Sequence, residues 1–172
     1  MIQKKDFEFH CETTVTIDRP TEVVYQALVY LENWTKLLPH VKSVNVLYDD
    51  GRYQEFTMTV DAGTIVGDLT VRSVRLCDRL NLEIELFQAE PPFFLKHHTG
   101  GWKFTPLTEN QCQVVLFHFC NFNHPVAEQI FGNADQPYQE VLSDLLENHV
   151  EEVMNNWKHI LETEPLVSGE SL

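Results

Sequence analysis

Positive charge is scarce in this chain. Twelve Lys and Arg stand against 26 Asp and Glu, a formal net charge of −14 over 172 residues. Nucleic acid and anionic membrane surfaces would be repelled by that excess, so both are excluded as partners. No apolar run approaches the roughly 20 residues that a membrane span requires. The opening Met-Ile-Gln-Lys-Lys-Asp-Phe-Glu lacks the apolar stretch of a secretion signal, which leads to the expectation of a cytoplasmic protein. The four cysteines, Cys11, Cys77, Cys112 and Cys120, are scattered without a CxxC pair and read as free thiols. There is no G-x-S-x-G, no glycine-rich phosphate loop around Gly63 and Gly67, and no dinucleotide fingerprint. His97, His98, His118 and His124 lack metal-ligand spacing, because adjacent strand residues point to opposite faces. The expectation is therefore a protein with no metal and no cofactor.

What is present is a globular composition, 43% hydrophobic and 22% charged, of a length that suits one domain. That domain is expected over residues 1–163. Residues 164–172 carry Pro, Ser, Gly and Glu with few anchors and read as a loose tail. Phe7, Phe9, Cys11, Thr13, Val15 and Ile17 alternate with polar residues, the period-two pattern of a half-buried strand. Asp18-Arg19-Pro20-Thr21 ends it, and Val23, Val24, Ala27, Leu28 and Leu31 then recur at helical spacing. A second short helix is expected at 33–38, stopped before Pro39. Strand patterns follow at 44–48, 56–60, 65–73, 80–86, 98–104 and 113–122, separated by turns such as Asp49-Asp50-Gly51. A short helix is expected at 126–131. Residues 139–162 then form one long amphipathic helix with Leu142, Leu145, Leu146, His149, Val153, Trp157 and Ile160 on one face. Consecutive antiparallel strands need one face covered, and only this helix is long enough to cover it. A curved sheet on a single helix leaves an apolar cavity between them.

Three stretches carry a family resemblance. They are Pro20-Thr21-Glu22-Val23-Val24-Tyr25 leading to Glu32-Asn33-Trp34-Thr35-Lys36-Leu37-Leu38-Pro39; Ser73-Val74-Arg75 with Asp78; and Gly100-Gly101-Trp102-Lys103-Phe104-Thr105-Pro106-Leu107 after Pro92-Phe93-Phe94. Over about residues 7–163 the chain resembles the START/Bet v 1-like (SRPBCC) superfamily, and within it the polyketide cyclase/dehydrase family, which includes aromatase/cyclases and coenzyme Q-binding START-domain proteins. The resemblance implies an α+β helix-grip fold, a curved antiparallel sheet wrapped around a long C-terminal helix with an internal cavity.

Ser73 and Arg75 share strand parity with Leu69 and Val71, so that side faces the core. An arginine directed into an apolar hollow is costly unless paired or aimed at a ligand oxygen. In similar aromatase/cyclases an arginine and a serine here contact the polyketide, and guanidinium donors would stabilise a developing enolate. The competing reading places Arg75 at the strand end, in water. Trp34 and Trp102 are candidate walls for a flat ligand, with plain core packing as the alternative. His118 is a candidate general base. Both faces of its strand are nearly equally apolar, so its direction stays open, and a satisfied structural histidine is the competing reading. His149 has the same ambiguity. Tyr30, Tyr53 and Tyr138 are candidates to donate to a carbonyl; their spacing selects none, and Tyr30 is preferred for its place beside the helix pair. Met58, Leu69, Val71, Val153 and Trp157 complete the expected lining.

The resemblance implies a cofactor-independent cyclase, aromatase or dehydratase acting on a hydrophobic polyketide intermediate, with an acyl-carrier protein as donor. That donor is itself acidic, which the net charge of −14 opposes. The alternative from the same resemblance is a carrier or chaperone for a quinone or lipid. Inward polar groups distinguish the enzyme from a carrier lined by aliphatics alone. Oligomeric state is not legible in the sequence.

Overall fold

Alternation along the chain produces the strands β1 (Phe9–Ile17), β2 (Val41–Asp49), β3 (Tyr53–Asp61), β4 (Asp68–Asp78), β5 (Glu83–Glu90), β6 (Leu95–Thr108) and β7 (Gln111–Phe122). The helices are α1 (Thr21–Val29), α2 (Trp34–Leu37), α3 (Gly63–Val66), α4 (His124–Phe131) and α5 (Tyr138–Thr163). They are seen in a computed structural model that describes residues 4–133 and 135–163. The expected tail at 164–172 lies outside the described residues. The strands form one antiparallel seven-stranded sheet in the order β1-β7-β6-β5-β4-β3-β2. The first strand thus pairs with the last, and α1 and α2 carry the chain across to the opposite edge. This is the helix-grip fold.

The turns follow their residues. Gly51 sits at φ 83, and Asp50 Oδ1 accepts hydrogen bonds from the Arg52 and Tyr53 backbone N–H groups, closing the β2–β3 hairpin. Two segments differ from the sequence expectation. Residues 63–66 form a helical turn rather than the start of a strand, and Ile65 is 63% exposed there. Gly67 at φ 76 then lets the chain enter β4. Leu80 and Leu82 belong to a turn, because Asp78 Oδ1 accepts from the Leu80 and Asn81 N–H groups. The fifth strand therefore begins only at Glu83.

The long helix is fixed at its C-terminal end. Lys158 Nζ donates to the Thr16 carbonyl (2.5 Å) and to Glu162 Oε1 (2.6 Å). The Asp18 N–H donates to Glu162 Oε1 (2.7 Å), and Arg19 Nη2 donates to the Glu162 carbonyl (2.8 Å). These contacts hold α5 against β1. Its buried stripe is Leu142, Val150, Met154, Trp157 and Leu161. The adjoining stripe of Leu145, His149 and Val153 faces a hollow. The lower core is filled by large groups, with Tyr25 of α1 edge-on to Phe104 at 5.2 Å. Higher up the sheet the inward positions include the polar Ser73, Gln88, His98 and His118, and the interior stays open.

Leu142 has no exposed surface, whereas Leu80 is 96% exposed. Urea denaturation is expected to show a loss of about 2–5 kcal/mol for Leu142→Ala and a change within about 0.5 kcal/mol for Leu80→Ala. Equal losses would mean that the α5 stripe is not the core.

Candidate functional site

The hollow between α5 and the sheet measures about 960 Å³. A volume of that size falls in the range of small-molecule sites. Of the residues expected to line it, Trp34, Met58, Leu69, Val71, Ser73, Trp102, His118, His149 and Val153 do so. Trp34 and Trp102 meet at 6.5 Å between ring centroids, forming one wall.

Three expected members sit elsewhere. Trp157 is buried, but it packs in the filled part of the core and not on the hollow. Tyr30 terminates α1 in an extended conformation and is 50% exposed. Arg75 points inward with 1% exposure, so the reading that sends it to water fails; yet its guanidinium stops behind the wall. Its Nε donates to Gln54 Oε1 (2.5 Å), and its Nη2 donates to the Val29 carbonyl at the end of α1 (2.6 Å). The charge lies 4.8 Å from the Trp34 ring and 5.5 Å from the Phe56 ring, close enough for cation–π attraction to both. Trp34 Nε1 donates to the Leu28 carbonyl (3.0 Å), fixing the ring that covers the guanidinium. Burial lowers the Arg75 pKa to about 10, and the group remains charged at neutral pH. Nη1 has no partner among the described residues.

The polar interior runs across four strands at one level. Ser73 on β4 pairs in register with Gln88 on β5, and His98 on β6 and His118 on β7 continue the row. His98 Nδ1 lies 2.6 Å from Gln88 Oε1, and His98 Nε2 lies 2.6 Å from His118 Nδ1. A carbonyl oxygen only accepts, so His98 carries its proton on Nδ1. Its Nε2 then accepts, and His118 must be protonated on Nδ1. The consequence is a bare lone pair on His118 Nε2, which has no hydrogen-bond partner among the described residues. Burial brings the His98 pKa down to about 4, with the His149 charge adding to it. Burial, then the charges of His98 and His149, hold His118 well below its ordinary value. Both rings are neutral near pH 7.

Gly100 makes room for this pair. It faces His118 across the ladder, and a β-carbon there would stand 2.3 Å from the Phe117 carbonyl oxygen and 3.3 Å from His118 Nδ1. Ser73 Oγ is buried at the cavity wall with no hydrogen-bond partner among the described residues. An unpaired buried hydroxyl is unfavourable unless something else accepts from it. Toward the opening, His40 and His149 meet edge to face at 5.1 Å between ring centroids. Burial lowers the His40 pKa to about 4. Burial also lowers that of His149, whose free surface borders the hollow.

The sequence pattern singled out Ser73, His118 and His149, but not Gln54, Gln88 or His98. His98 carried a signal, since it shares parity with Gly100 and Trp102. Its partners lie on other strands, and only register reveals them.

The sequence profile of polyketide cyclase / dehydrase and lipid transport proteins matches residues 17–146, and the chain belongs to that family. A granaticin polyketide synthase bifunctional cyclase/dehydratase from Streptomyces violaceoruber is 27% identical over 109 residues, 62% of this chain. The chain spans 32% of that longer relative. The Zhui aromatase/cyclase from Streptomyces sp. R1128 superposes with a TM-score of 0.75 at 22% identity, covering 94% of this chain and 98% of that one. The di-domain ARO/CYC StfQ from the steffimycin biosynthetic pathway gives 0.77 at 20% identity, covering 92% of this chain and 51% of that one. These two likenesses establish the shared fold. No helix among the described residues is long and apolar enough to cross a membrane.

Two predictions follow from the site. The interior histidines have pKa values below their unfolded value of about 6.5. As pH falls below that value the unfolded chain takes up protons that the folded chain refuses, so stability declines from about pH 6.5 to about pH 4. His98→Gln is expected to flatten the pH dependence of the unfolding free energy in that window; an unchanged slope counts against the assignment. Arg75→Met is expected to stay within about 1 kcal/mol of the parent chain. The Val29 carbonyl keeps its bond from Gln54 Nε2, and Gln54 Oε1 keeps its bond from Cys77 Sγ. A loss above about 3 kcal/mol would make Arg75 an indispensable structural tie.

Proposed function

We propose that this protein promotes aldol cyclisation and dehydration of a hydrophobic polycarbonyl compound of the polyketide type, without a cofactor. The observation that carries the reading is the Gln88–His98–His118 relay, ending in a free lone pair at the wall of an otherwise apolar cavity. An extended chain folded into the cavity would bring one methylene near one distant carbonyl, and placement alone supplies several kcal/mol of barrier lowering. His118 Nε2 takes a proton from a methylene flanked by carbonyls, leaving an enolate. His98 and Gln88 hold the imidazole in the required tautomer and stabilise its charge. The enolate carbon attacks the distant carbonyl carbon, forming a C–C bond, and the resulting alkoxide recovers the proton from His118. Loss of that hydroxyl as water, with a neighbouring C–H proton removed by the same base, gives the unsaturated ring. The unpartnered Ser73 hydroxyl is the donor for the carbonyl oxygen on which charge develops.

Trp34 and Trp102 are the faces on which a flat product stacks. Arg75 serves as a positioning residue, through Trp34 and the end of α1. Tyr30 and Trp157 have no part in the chemistry. Delivery by an acyl-carrier protein is a further possibility of the family resemblance and has no support in the residues around the cavity.

Carriage of a quinone or lipid would use the same cavity, and its mostly apolar lining suits that reading. A carrier has no use for an oriented histidine pair with an unused lone pair, and that favours catalysis. The test adds the purified protein to an aromatic polyketide-forming synthase and follows the product profile. The parent chain is expected to change it. His118→Gln is expected to lower the rate by about 10²–10⁴ and Ser73→Ala by about 10–10². Both variants should still bind a hydrophobic dye. A profile indifferent to the parent chain and to both variants removes the enzyme reading and leaves the carrier.

A further inference from the structure

The opening of the cavity has a composition that bears on what can pass through it. Because α5 is held against β1, its other flank stands apart from the β2–β3 side of the sheet, and the hollow opens there. The exposed residues of that rim are Asp61 at the end of β3, Asp144, Asn148, Glu152 and Asn156 along one stripe of α5, and Lys42 on β2. Lys42 is already committed, since its Nζ donates to Asp68 Oδ1 at 2.5 Å. Three carboxylates therefore face the entrance, and among the described residues that line it Lys42, paired with Asp68 and within reach of the Asp61 charge, is the one lysine or arginine.

Beside these residues stand the half-buried His40 and the exposed His149. They lie in contact across the passage and are uncharged near neutral pH. The one buried guanidinium, Arg75, does not line the hollow: it sits behind Trp34, donating to Gln54 and the Val29 carbonyl. An anion would thus meet repulsion at the rim and no counter-ion within. Further in, the unpartnered Ser73 hydroxyl, 1% exposed, awaits an acceptor at the wall. A neutral carbonyl satisfies it and needs no compensating charge.

We propose that the rim of Asp61, Asp144 and Glu152 is a charge filter, and that the ligand enters as a free, uncharged carbonyl compound and not on the anionic phosphodiester arm of a carrier. This rests on the reading of the cavity as the ligand site, and it adds the substrate's charge and its manner of delivery. Repulsion of this kind acts through water, so it weakens as salt rises.

The experiment uses two probes with one skeleton, neutral N-phenyl-1-naphthylamine and anionic 8-anilino-1-naphthalenesulfonate. Each is titrated into the full chain and into the double variant Asp144→Asn/Glu152→Gln. Fluorescence and energy transfer from the tryptophans report binding. At about 20 mM salt the sulfonate is expected to bind the double variant about fivefold more tightly than the parent, the effect of roughly two unit charges acting across about 8–10 Å of water. At about 0.5 M salt that gap is expected to close, and the neutral amine is expected to differ by less than about twofold throughout. Sulfonate affinity that responds neither to the substitutions nor to salt overturns the filter and leaves the cavity reading standing. Failure of both probes to bind either protein overturns the cavity reading and the filter together.

Discussion

A seven-stranded sheet is wider than the single helix that covers it, and most of this structure follows from that mismatch. Lys158, Glu162 and Arg19 tie α5 to the β1 end, so coverage is complete on one side and absent on the other. Near the tie, Tyr25, Phe104, Trp157 and Leu161 fill the interior. Away from it the lining from β4 to β7 sets the polar side chains Ser73, Gln88, His98 and His118 among larger ones such as Leu86, Trp102 and Leu116. The hollow is a consequence of where the helix is fastened and of which residues stand opposite it.

The architecture was legible because periodicity is local. Period two gave the strands, and a 3.6-residue stripe gave the long helix. The errors arose where a side chain outweighed the pattern. Asp78 captured two backbone N–H groups and turned Leu80 and Leu82 into a loop. Gly67 bent the chain at 63–67 before β4 could start. At the site, parity correctly sent Arg75 inward but could not say how far it reaches. Its depth is set by Gln54 from the neighbouring strand and by a helix carbonyl 46 positions away. The direction of His118 was ambiguous for a physical reason. Phe117 and Phe119 face outward and still look like core, because Phe7 packs on Phe119 at 5.7 Å and His10 stacks on it at 4.7 Å. An outer face that is itself covered erases the contrast on which alternation depends.

Membership of the polyketide cyclase / dehydrase and lipid transport family leaves two uses for such a hollow, and the fold is neutral between them. The distinction has to be sought in the polar groups that survive burial. Three of them bear on the hollow, and they differ in what they leave over. Arg75 spends two of its three nitrogens on protein partners and leaves Nη1 unpaired behind Trp34, the His98–His118 pair consumes all but one of its hydrogen-bonding positions, and Ser73 consumes none. A polar group with capacity to spare is the one that can serve a guest.

Gly100 sets how near the two histidines can lie. With the strands at their present spacing, a methyl there would collide with the Phe117 backbone and press on the His118 ring. The hollow itself owes nothing to that glycine, since its volume comes from the fastening of the helix. On the proposed reading, shape and reactivity are therefore under separate control: one added carbon at Gly100 would disturb the histidine pair and leave a serviceable container.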